Sequence, residues 1–80
     1  MTPIEAVLAE LRRARHLYPA FHSAHEGYAT LLEECDELWD CVRMKQSDPD
    51  RRIRMRQEAI QVAAMALRFI EDCCDRETEA

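Results

Sequence analysis

Five carboxylates fall within the eight residues Glu33-Glu34-Cys35-Asp36-Glu37-Leu38-Trp39-Asp40. On a helix, at about 100° per residue, Glu33, Asp36 and Asp40 lie on the solvent side. Tyr28, Leu31, Leu32, Cys35, Leu38, Trp39 and Val42 share the apolar face, and Leu38 and Trp39 belong in a core. Glu34 falls at the edge of that face, with Glu37 beside it one turn further on. A carboxylate at such an edge loses water and needs a hydrogen bond, a proton or a cation.

Its partners lie across a turn. Ser47-Asp48-Pro49-Asp50 is the clear break in the second half of the chain. A hairpin closing there gives antiparallel neighbours whose numbers sum to about 95. That register sets Glu34 level with Gln61 and Glu37 level with Glu58, which are themselves spaced i, i+3 on one face. The result is a cluster of four oxygen-bearing side chains, three of them ionisable. Like charges this close are unfavourable unless protonated or neutralised, and an all-oxygen set suits Mg²⁺ or Mn²⁺ rather than zinc.

The elements that position these groups read as three helices, so the fold class is all-α. Residues 1–21 hold an N-terminal helix and linker. Thr2, Pro3 and Glu5 make a capping box with proline at the first helical position. Ile4, Val7, Leu8, Leu11 and Ala14 form its apolar stripe, and Pro19 ends it. Ser23 and Glu26 make a second capping box for a helix over 22–46. Gly27 in its first turn reads as a tolerated residue rather than a close approach. The third helix is expected over 49–75, with Asp48 as its cap and Pro49 at its first position. Between Ala59 and Ile70 it carries only Gln61 and Arg68 as strongly polar residues. A segment apolar nearly all round must be covered on more than one side, which predicts a subunit interface there. The residues from about Asp75 to Ala80 are charged and expected to fray.

Eighty residues with one Gly, three Pro, 48% hydrophobic and 34% charged side chains describe one helical globular domain. A chain this short buries only about 60% of its unfolded surface, so oligomerisation would supply missing core. The formal charge of −5 argues against a general nucleic-acid binder. Without a signal-like segment or a long apolar run, the expectation is a cytoplasmic protein with no membrane partner.

Glu34-x-x-Glu37 followed by Glu58-x-x-Gln61 resembles the paired acidic motif, ExxE then ExxD, of the MazG-like all-α nucleoside triphosphate pyrophosphohydrolases. The words His25-Glu26-Gly27-Tyr28 and Glu58 through Arg68 look like the small phage and bacterial branch of that family. The resemblance covers roughly residues 22 to 74. It implies Mg²⁺-dependent conversion of a nucleoside or deoxynucleoside triphosphate to the monophosphate and pyrophosphate, by a homodimer or homotetramer of short helices. It further implies Glu34, Glu37 and Glu58 as metal ligands, Gln61 as a neutral fourth contact, and Glu33 or Glu37 as the group that orients or deprotonates water. Gln61 departs from the pattern, standing where the family usually has Asp. An amide oxygen can still ligate a hard cation but brings no charge, so metal affinity should fall. The resemblance leaves a fourth helix that often carries nucleotide contacts in the family without a counterpart, so a second subunit would have to supply those contacts or they are absent.

Arg43, Lys45, Arg51, Arg52, Arg54 and Arg56 gather at the hairpin tip. Arg43 and Arg54 lie nearest the acidic positions and could clamp phosphate, while a solvated face paired with Asp40, Asp48 and Asp50 accounts for the rest. His16, His22, His25, Cys73 and Cys74 come near one level, but their spacing matches no standard zinc pattern. The four cysteines read as reduced packing residues. The competing reading, from a different class, is a catalytically silent helical oligomer that binds a protein partner or nucleotide.

Overall fold

The computed structural model describes residues 1–76 as three α-helices with a π-helical extension, and no strand among the described residues. Helix α1 spans Pro3–Leu17, α2 Ala24–Val42 and α3 Arg51–Phe69, with the π-helical turns over Ile70–Asp75. Of the segment expected to fray, Asp75 is helical and residues 77–80 lie outside the described residues.

Local chemistry sets most of the boundaries. Thr2 accepts from the Glu5 amide at 3.2 Å, while Glu5 accepts from the Thr2 amide at 2.8 Å, a reciprocal capping box. Ser23 caps α2 by accepting from the Glu26 amide, but Glu26 reaches back to the His22 amide rather than to Ser23. Helix α2 stops at Val42, short of the expected Gln46, and the Arg51 guanidinium donates to the freed Val42 carbonyl at 3.0 Å. Helix α3 begins at Arg51, two residues later than expected. Asp48 does not cap it: its carboxylate turns back to accept from the Asp50 amide at 2.9 Å, closing an Asx turn.

Helix α3 is the central element, lying against α2 along one side and α1 along another. This corrects the reason given for a subunit interface over Ala59–Ile70: α1 provides the second cover, and Ala64, Met65 and Arg68 are buried within the chain itself. The core cluster joins Ala14, Phe21, Ala64 and Met65, with Val7, Leu11, Leu31 and Cys73 packed against it. Gly27 belongs to this packing. A Cβ there would meet the Phe69 ring at 2.8 Å, the Phe21 ring at 3.1 Å and Cys73 Sγ at 3.3 Å, so the position is a close approach after all.

The apolar face of α2 divides. Leu31 and Leu38 are half-buried on the side of α3, whereas Tyr28, Leu32, Cys35, Trp39 and Val42 are exposed. Trp39 therefore stands outside the core, 58% exposed. The stripe is wider than the arc one neighbouring helix can cover.

The linker between α1 and α2 is fixed by charge. Asp72 accepts from the Phe21 amide at 3.0 Å and from Arg15 at 2.7 Å. Arg68, 4% exposed, donates to the Pro19 carbonyl and lies 4.2 Å from the centre of the Phe21 ring. Burial pushes the Asp72 carboxyl up, but the Phe21 amide, Arg15 and Arg68 outweigh it and hold the group below its ordinary value.

Candidate metal centre

Helices α2 and α3 bring together one carboxylate oxygen each from Glu34, Glu37 and Glu58, all within 4.8 Å of one another. Glu34 and Glu37 share a face of α2 at a spacing of one turn, and Glu58 meets them from α3. Glu37 is exposed, while Glu34 and Glu58 are half-buried. Glu34 Oε2 and Glu58 Oε2 are sealed from solvent with no hydrogen-bond partner among the described residues. Buried polar atoms are normally satisfied, so each of these orphaned acceptors is a candidate to take a proton or a cation.

The electrostatics agree. Burial, then the charge of Glu37 and a contact with it that needs a shared proton, push Glu34 up to about 7 from 4.5. Glu58 and Glu33 add to the repulsion. Burial and Glu37 also raise Glu58, with the Arg54 charge acting against them. The donor set is hard oxygen throughout, which fits Mg²⁺ or Mn²⁺ in charge and chemistry.

Gln61 lines the cavity that Glu34 also lines, about 340 Å³ in volume. It lies beside Glu10 of α1 and helps to hold that carboxyl below its ordinary value, together with Arg13, which binds Glu10 through two guanidinium nitrogens. Glu33 remains exposed on α2 and acts on Glu34 only through its charge. Arg54 is exposed and close enough to Glu58 to lower its affinity for a proton. Arg43 is turned elsewhere, paired with Asp40 and lying 6.0 Å from the centre of the Trp39 ring. The other tip cations are also distributed: Arg51 binds the Val42 carbonyl, and Arg56 donates to the Met1 carbonyl at 3.4 Å.

Sequence reasoning missed the cavity wall contributed by α1 and the linker: Glu10, Arg13, Tyr18 and Phe21, with Arg68 from α3. One signal was present, since an arginine inside the apolar run of α3 must find partners or a polar space. The four cysteines are free thiols, and the histidines join no cluster of three metal-binding groups among the described residues. No helix of the described residues is long and apolar enough to cross a membrane.

No family model matches the sequence, and neither a curated protein nor a solved structure matches the chain. The MazG-like likeness rests on its quoted residues alone.

Proposed function

We propose that this chain is a Mg²⁺-dependent pyrophosphohydrolase of nucleoside or deoxynucleoside triphosphates, working as a homodimer or homotetramer. The observation that carries the reading is the pair of orphaned, buried oxygens of Glu34 and Glu58, with Glu37 within 4.8 Å. Glu34, Glu37 and Glu58 hold the cation, and the Gln61 amide oxygen is a neutral contact beside them. When bound, the cation offsets triphosphate charge and lowers the pKa of water. Glu33 or Glu37, both exposed, accepts the proton of the attacking water. Arg54, adjacent to Glu58, meets phosphate oxygens. Arg43 would have to leave Asp40 to join it, so its part is the lesser.

A second reading, a catalytically silent oligomer that binds a protein partner or nucleotide, draws on Gln61. That amide stands where the family has a carboxylate, and it brings no charge to the cluster. Incubation with each common triphosphate in Mg²⁺ or Mn²⁺, reading pyrophosphate, separates the two. Pyrophosphate from any of them, lost in Glu58→Gln, supports the enzyme. No pyrophosphate from a folded, metal-loaded protein overturns it in favour of the silent oligomer.

A further inference from the structure

The outer face of α2 carries Tyr28, Leu32, Cys35, Trp39 and Val42, spaced four, three, four and three residues apart. This is the alternation of a two-helix seam, in which positions a and d repeat along one stripe. Among the described residues nothing covers it: Tyr28 is 60% exposed, Leu32 44% and Trp39 58%. Helix α3 takes the adjacent side, where Leu31 packs against the cluster of Ala64 and Met65 and Gly27 meets Phe69.

The chain as a whole exposes more surface than a compact one, which leaves a second copy area to bury. A compact protein of 9.4 kDa exposes about 5,000 Å², whereas this chain exposes 6138 Å². The excess is on the order of the 800 Å² per partner that a stable interface removes. The Cα radius of gyration, 14.1 Å against about 12 Å for a compact chain of this length, says the same. Among the described residues no large side chain is fully buried in the chain alone.

We propose that two copies join along this stripe, antiparallel, about a two-fold axis near Cys35. This deepens the homodimer reading above, which left the surface open. The stripe is self-complementary about Cys35: Leu32 would face the partner's Trp39, and Tyr28 the partner's Val42. An isologous pair needs this, since one patch must fit its own copy. A parallel pair would instead set each seam side chain at the level of its own copy, Trp39 against the partner's Trp39 and Tyr28 against the partner's Tyr28. Glu34 lies about a third of a turn and Glu37 about half a turn of the helix away from the seam, so joining leaves the carboxylate cluster open.

Three measurements on the whole chain test the surface. Sedimentation from micromolar to submillimolar concentration should show a monomer–dimer equilibrium, and emission from Trp39, the single tryptophan, should shift to the blue as dimer forms. Trp39→Glu and Leu32→Glu should each weaken association by at least about tenfold while helicity is retained. With Cys41, Cys73 and Cys74 changed to serine, mild oxidation should cross-link Cys35 to Cys35. In a cysteine-free background, Leu32→Cys chains should cross-link to Trp39→Cys chains but neither variant to itself. Should the glutamate variants fail to fold, Trp39 emission and the Cys35 cross-link decide. A monomer at every concentration overturns both the homodimer and this surface. A dimer that keeps its affinity in the glutamate variants, without the Cys35 cross-link, overturns the surface alone.

Discussion

Glu34 on α2 and Glu58 on α3 each hold one carboxylate oxygen out of water with no hydrogen-bond partner, and Glu37 approaches both. Folding thus creates an electrostatic cost that a bound cation can remove. The measurable behaviour of the chain should be organised around that cost.

The first consequence is a pH dependence of stability without metal. Glu34 rises to about 7 from 4.5, and Glu58 moves in the same direction, so the folded state binds protons more tightly than the unfolded chain. That contribution is fully present below the ordinary value and is lost as pH rises through 7. Asp72 works oppositely, but its window lies below its ordinary 3.8. The melting temperature in chelator should therefore fall between about pH 5 and pH 8, and Glu34→Gln should flatten the fall. A wild-type curve that rises over that range would contradict the assignment.

Cation binding should reverse this loss. Mg²⁺ or Mn²⁺ at a hundred times its dissociation constant stabilises the fold by about 2.7 kcal/mol. Glu58→Gln should blunt the response and raise the melting temperature of the metal-free protein, since it removes one of the repelling charges. Equal metal-induced shifts in wild type and variant would place binding elsewhere.

Gln61→Asp tests the departure from the ExxD pattern. If Gln61 stands at a ligand position, the new carboxylate should tighten metal binding and preserve or raise pyrophosphate release. Glu10 makes the substitution costly without metal, because the new carboxylate would stand close to that of Glu10 and repel it. The metal-free melting temperature should drop, by about 1 to 3 kcal/mol of stability. Titrating metal against melting for both proteins separates the effects: a variant that melts lower at every metal concentration and binds no more cation is outside the site.

Gly27→Ala would ordinarily gain helix propensity of about 1 kcal/mol. Here the added methyl meets the Phe69 ring at 2.8 Å and the Phe21 ring at 3.1 Å. Overpacking costs about 1 to 3 kcal/mol, so the net effect should be a loss of roughly 1 kcal/mol, or several degrees of melting temperature. Thermal melts showing a gain would mean that the rings move aside freely.

Most of the helical framework was legible because caps and prolines act locally. Thr2, Glu5 and Ser23 behave as their types predict. The glutamate cluster was legible because a hairpin carries register across its turn, and Glu34, Glu37 and Glu58 meet although the helix ends moved. The wall that Glu10 and Arg13 build was not, because where α1 lies depends on Asp72 reaching Phe21 and Arg15 across the chain. The fate of Trp39 was hidden for a related reason. Periodicity gives the width of an apolar stripe but not which arc of it a single neighbour will take.

The Asp72 contacts also bear on the order in which the chain assembles. Those to Phe21 and Arg15 close 51 and 57 residues of sequence, whereas α2 and α3 meet across a short turn. Long closures cost more entropy and come late, so the α2–α3 hairpin should form first and α1 dock upon it. Docked last, α1 can also leave first, as a unit of lower local stability. Amide exchange should then be faster throughout α1 than in the middle of α3, and Asp72→Asn should speed exchange in α1 while sparing the hairpin. Equal acceleration in all three helices would show instead that the chain opens only as a whole.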